Sequence, residues 1–253
     1  MQCFRLRFDR FFGTICTKIL GINEKRRAMN NLIPLRGNAL VPVNAHIQYL
    51  TERQINALTA AYQKFFDSAP TPRQYARRGR HWLIFLVLRF TGARLGEAIR
   101  LNADMDIDHR NGELKLITLK QHAHKGRKVK KRAPSRIVPV PANVLAEIGN
   151  YRLQIAQYVA KGELPPDVGS PFRIDAATFR KKFYSMAKEA EIPLDLGHPH
   201  ILRHSRSVEL LRAGVPVTIV QDLLGHSSLN TTALYLRIAG HEAKQILKDR
   251  GMI

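Results

Sequence analysis

A chain of 253 residues, 45% of them hydrophobic, has the composition of an ordinary globular protein and is long enough for one large core or two small ones. Its charge is not ordinary: 41 Lys and Arg against 20 Asp and Glu leave +21 at pH 7, a surplus that calls for a polyanionic partner, nucleic acid before anionic membrane. Two cysteines, Cys3 and Cys16, cannot build a disulfide framework or a CxxC zinc pattern, which fits a reducing cytoplasm, and the longest apolar run, WLIFLVL at 82–88, is too short to cross a bilayer.

Residues 1–48 read as a basic N-terminal extension and linker. MQCFRLRFDRFFGTICTKIL is interrupted by Arg, Asp and Lys and lacks the unbroken core of a signal peptide. It is either a basic amphipathic helix or a segment upstream of a start at Met29. NNLIPLRGNALVPVNA then reads as an extended linker.

From Thr51, an N-cap, a helix carries Ile55, Leu58 and Tyr62 on one face. HWLIFLVLRF at 81–90 is apolar nearly all round and reads as a buried helix, broken by Thr91-Gly92, with ARLGEAIRL opening another. ELKLITLK at 113–120 and SRIVPVP at 135–141 suit two partner strands. The long tip between them is basic: positions 120–136 hold eight Lys or Arg and no acid. Lys125, Arg127, Lys128, Lys130, Lys131 and Arg132 are the expected DNA-phosphate contacts on this tip.

Helices follow over 142–160, 176–190, 200–213, 216–224 and 228–238, with Gly214 and Gly225 at expected C-caps. LRIAGHEAKQILKDRGMI reads as a short amphipathic tail helix. The fold class is therefore mainly α with a small antiparallel β-sheet (α+β), its main domain spanning 49–253.

HPHILRHSRSVELLRAGVPVTIVQDLLGHSSLNTTALYLR at 198–237 is unusually rich in groups that hydrogen-bond or titrate. A metal site would use His198, His200 and His204, but no HExxH exists and no Cys, Asp or Glu stands at ligand spacing beside them. A helix-turn-helix fits VELLRAGVPVTIVQDLLGH in length but leaves the pairing of His200 with Arg203 unexplained. Phosphate chemistry explains that pairing. An Arg three residues after a His shares its helical face, and a guanidinium binds a phosphate through a planar fork of donors. His226 and Tyr235 lie nine residues apart, so two helices and a turn can bring Arg, His and a phenol to one point. A phenol at its ordinary pKa needs such help to act as a nucleophile.

The stretches HPHILRHS and LLGHSSLNTTALYLRI resemble the C-terminal signature of the tyrosine recombinases, the phage integrase family, and FTGARLGEAIRL resembles the family's first box, TGxRxxE. The likeness covers about residues 49–240 in matching order and intervals. It implies that Arg94 and Arg203 clamp the scissile phosphate, that His226 hydrogen-bonds the phosphate or nucleophile, that His200 assists proton transfer and that Tyr235 is the nucleophile. Lys120 takes the place of the family's hairpin Lys, the general acid toward the 5′-oxygen, with Lys125 and Lys128 as competitors.

The implied activity is site-specific recombination of double-stranded DNA through a 3′-phosphotyrosine, by a homotetramer on DNA, with accessory DNA-bending proteins as possible partners. No metal and no cofactor is implied, and the setting is the bacterial cytoplasm, at nucleoid or plasmid. Only about 48 residues precede YLTERQINAL, so a reduced form without the family's full N-terminal helical domain is expected. A type IB topoisomerase shares this chemistry, and a DNA-binding regulator with an inactive recombinase fold is the alternative of a different class.

Overall fold

The computed structural model describes the backbone at 32–35 and 39–42, and residues 48–118 and 134–225 in full. The chain divides into two units, Met1–His46 and Ile47–Ile253.

In the first unit, β1 (Leu32–Leu35) and β2 (Ala39–Pro42) pair antiparallel, from Leu32 opposite Pro42 to Leu35 opposite Ala39. The stretch expected to be an extended linker is therefore a paired hairpin. Two short apolar runs around Arg36-Gly37-Asn38 carry the hairpin signal, but a proline in each run argued against pairing.

The second unit is built on α1 (Glu52–Asp67) and α2 (Pro72–Thr91). Thr51 caps α1 as expected and Gln54 completes a capping box; Ile55, Leu58 and Tyr62 are buried. Helix α2 starts well before the apolar run, because Thr71 accepts from the Gln74 N–H and Pro72 occupies the first turn. Every residue of WLIFLVL is buried. Tyr62 stacks on Phe85 at 4.3 Å between ring centres, with Phe179 and Phe183 closing the cluster.

ARLGEAIRL yields only a single turn, α3 (Leu95–Ala98). Beyond it Asn102 and Asp106 divert the backbone: the Asp104 N–H donates to Asn102 Oδ1 and the Asn102 N–H to Asp106 Oδ2. Such side chains offer the chain an alternative to helix. The sheet then forms from β3 (Ile107–Asp108), β4 (Glu113–Ile117) and β5 (Ser135–Pro139), all antiparallel in that order. β3 is too short to show alternation in sequence.

Four further α-helices follow among the described residues: α4 (Ala142–Ala160), α5 (Ala176–Glu189, capped by Asp175), α6 (His200–Arg212) and α7 (Val217–Leu224). Gly225 ends α7 in the left-handed region at φ 68°. Arg89 near the end of α2 pairs with Glu209 on α6 at 2.7 Å, fixing how those two helices meet. The described residues of the second unit thus form the mainly helical α+β fold with one small antiparallel sheet of three strands.

His81 is buried within this core, 4% exposed, between Phe65 and Phe179. Burial, with Lys182 and Arg77 nearby, lowers its pKa from 6.5 to about 4. Between those values the unfolded chain binds the extra proton, so stability present above pH 6.5 is lost as pH falls toward 4, roughly 2 kcal/mol of it by pH 5. His81→Phe should leave the urea midpoint at pH 7.5 nearly unchanged and flatten its decline between pH 6.5 and 5. An unaltered acid slope would place that loss in another group.

Candidate active site

Three residues of the expected site fall among those described: Arg94, His200 and Arg203. Lys120, His226, Tyr235 and the basic residues Lys125, Arg127, Lys128, Lys130, Lys131 and Arg132 lie outside them, as do the tail helix and the N-terminal segment.

The corner that carries Arg94 is made by the end of α2. Thr91 donates to the Val87 carbonyl and accepts from the Ala93 N–H. Gly92 turns the chain at φ 63°, and a Cβ there would stand 2.4 Å from Leu224 Cδ2. Only glycine meets both demands. Arg94 follows as the N-cap of α3. Its N–H donates to Glu97 Oε2 at 3.0 Å and its Nη1 to Glu97 Oε1 at 3.1 Å. The three-residue spacing of Arg and Glu in the first box therefore caps the helix and clamps the guanidinium with one carboxylate. The Arg94 side chain keeps 23% of its surface open.

Arg203 approaches the same corner from α6. It is buried, 2% exposed, and its Nη1 donates to the Gly92 carbonyl at 2.9 Å. The two arginines of separate boxes thus meet across a turn of two residues. Helix α6 begins at His200, directly after Pro199. The His200 ring meets His204 edge to face at 4.7 Å between centres. Its pKa falls from 6.5 to about 4, through removal from water first, then through His204, Arg203, His198 and Arg94. The shift keeps the His200 imidazole neutral near pH 7, and the residue stays exposed at the start of α6. His204 is lowered in the same sense.

Two members of the site went unassigned in the sequence. Glu97 is one: its side chain is fully enclosed and takes Arg94 on one oxygen and Arg136 Nη2, at 2.7 Å, on the other. Burial alone would raise its pKa, but Arg136 and then Arg94 outweigh that and hold the carboxyl below its usual range. Arg136 is the second. Its place on β5, two residues before buried Val138, puts it on the inward face of the strand. Inward alternation was the signal, obscured by counting Arg136 with the basic tip.

The helix-turn-helix reading fares poorly. Its second helix would be α7, which has no Lys or Arg, exposes Asp222 and buries Val220 and Leu224. A DNA-reading helix relies on donors on its free face, and among its residues α7 offers no Lys or Arg and a single amide, Gln221. Among the described residues no group of three His, Cys, Asp or Glu converges on a metal position, and no helix is long and apolar enough to cross a membrane.

What the corner can do is hold an anion: Arg94 is held by Glu97 and Arg203 by the Gly92 carbonyl two residues away, so fixed positive charge stands on both sides of one turn. The phage integrase family model matches residues 48–242. The chain belongs to the phage integrase family. Among curated members it is 32% identical to a tyrosine recombinase of Pseudothermotoga lettingae over 64% of this chain and 51% of that protein. It is 30% identical to the tyrosine recombinase XerD of Vibrio cholerae, over 78% and 59% of the two chains. The chain thus matches between half and three fifths of these relatives' length.

The fold of the integrase family is matched in solved structures as well. The XerA recombinase has a TM-score of 0.57 at 22% identity, covering 86% of this chain and 66% of the other. The XerH recombinase bound to a palindromic difH substrate, a post-cleavage complex, has a TM-score of 0.60 at 23% identity, covering 87% and 58%.

Proposed function

We propose that this integrase-family chain is a site-specific DNA recombinase that cuts and rejoins strands through a 3′-phosphotyrosine. One observation carries the reading: Arg94 and Arg203, from boxes more than a hundred residues apart, converge on one corner where Glu97 and the Gly92 carbonyl fix them. Two guanidinium groups held at one corner suit the non-bridging oxygens of a phosphodiester, and the surplus of +21 supplies the attraction to DNA.

In the reaction, the Tyr235 oxygen attacks phosphorus and the bond to the 5′-oxygen breaks. The phenolic proton passes to a base, the role the family resemblance gives His200, and the hairpin Lys protonates the departing 5′-oxygen. Arg94 and Arg203 carry the charge that grows on the non-bridging oxygens, and His226 donates to one of them. A 5′-hydroxyl of a second strand then reverses the step. Because the phosphodiester energy is kept in the covalent intermediate, the chemistry consumes no ATP, and fixed cations do the work of a metal ion.

The partner is double-stranded DNA, engaged by a homotetramer through the basic tip of Lys125, Arg127, Lys128, Lys130, Lys131 and Arg132, with help from accessory DNA-bending proteins. The setting is the bacterial cytoplasm, on nucleoid or plasmid. Incubation with the replicon that encodes the chain, followed by mapping of new junctions, identifies the site. A nicked suicide duplex of that site should then become covalently attached to the protein. Binding without attachment would make the chain a DNA-binding regulator instead.

A further inference from the structure

The Arg136 side chain is 9% exposed, and its three nitrogens are committed to three different elements. Nη2 donates to Glu97 Oε2 on α3 at 2.7 Å, Nη1 to Thr118 Oγ1 just beyond β4 at 3.2 Å, and Nε to the Leu223 carbonyl in the last turn of α7 at 2.8 Å. Gly225 completes the enclosure, since a Cβ at that position would lie 2.9 Å from Arg136 Nη1 and 3.2 Å from its Cζ. With every nitrogen turned inward, Arg136 is not placed to touch a phosphate.

Each arm ends beside a different functional box. Glu97 holds Arg94 directly. Thr118, whose N–H donates to the Pro134 carbonyl at the base of the hairpin, precedes Lys120 by two residues. Leu223 precedes His226 by three. A buried ion pair serving the packing of β5 alone needs only the carboxylate arm, and such pairs contribute little net stability. The other two arms spend a rigid fork of donors on the two chain segments that lead to the remaining site residues.

We propose that Arg136 is a positioning residue that sets Arg94 in register with the two chain segments, ending at Thr118 and Leu223, that lead toward the hairpin lysine and His226. This rests on reading the chain as a tyrosine recombinase. Through the Thr118 arm, its loss impairs departure of the 5′-oxygen above all, because the lysine that protonates that oxygen follows Thr118 in the chain.

The test is single-turnover cleavage of the suicide duplex by wild type, Arg136→Gln and Thr118→Val. Each is run on ordinary DNA and on DNA with sulfur in place of the bridging 5′-oxygen, since a thiolate departs without being protonated. On ordinary DNA, Arg136→Gln should cleave about a hundredfold more slowly, the scale of an ångström of misplacement. Thr118→Val should be slowed about tenfold, the equivalent of one hydrogen bond. Band-shift affinity should be unchanged, and the sulfur duplex should restore most of the Thr118→Val deficit and only part of the Arg136→Gln deficit, because the arm through Glu97 to Arg94 is not bypassed.

Wild-type rates on ordinary DNA for both variants, or a Thr118→Val deficit of equal size on both duplexes, would overturn the inference. If circular dichroism finds Arg136→Gln unfolded, Thr118→Val decides alone, because it removes a single hydroxyl. A wild-type protein that attaches to neither duplex contradicts the recombinase reading itself, which separates the two failures.

Discussion

Replacing Glu97 with alanine should cost about 3–5 kcal/mol of stability, because it leaves the enclosed Arg136 guanidinium and the part-buried Arg94 without their shared carboxylate. The Glu97 side chain is fully buried and holds Arg94 on one oxygen and Arg136 on the other. It also accepts the N–H that begins α3, so the substitution removes a helix cap together with two ion pairs. Urea unfolding at pH 7 measures the loss. Glu97→Gln should fall well short of it, since the amide keeps the shape and one acceptor oxygen. Equal stability of wild type and alanine variant would mean that the two arginines find other partners and that the corner is not organised by this carboxylate. Covalent attachment to DNA should fall for both variants, by more than their stability explains.

Arg203→Lys should lower cleavage by about 10²–10³-fold, the scale seen when one donor to a developing anion is removed, with little change in DNA affinity. The reason is geometric. A guanidinium spans its partners with a rigid fork and can hold the Gly92 carbonyl, as it does at 2.9 Å, while presenting another edge. An ammonium is a compact point charge and cannot do both. Single-turnover cleavage and a band shift on the same duplex separate the two effects. A near-normal rate would assign Arg203 to packing α6 against the α2 corner and to nothing more.

How much of this was legible in the chain depended on the range of the interaction. Local signals read well. Thr51 capped its helix, Gly225 ended α7 in the left-handed region, and Asp175 begins α5 near the expected start. The family resemblance rested on two boxes that the fold brings to one corner, Arg203 donating to the Gly92 carbonyl two residues before Arg94.

Contacts between distant segments did not read. Arg136 looked like one more charge in a basic loop, because its three partners come from three other elements. Glu97 stood inside a quoted box without a role, since only the fold reveals that it is shared by two arginines. The hairpin at 32–42 was hidden by its prolines, and the single turn α3 was read as a longer helix because its stop lies in Asn102 and Asp106 rather than in a glycine or proline.

The most direct measurement is to trap the protein on its suicide duplex in the presence of a metal chelator and without ATP, digest the complex, and identify the linked peptide and nucleotide by mass spectrometry. The expected product is a peptide containing Tyr235 joined through its phenol to a 3′-phosphate, absent from Tyr235→Phe protein that still binds the duplex. A linkage at another residue, a 5′-phosphate, or an adduct that persists in Tyr235→Phe would contradict the assignment of the site.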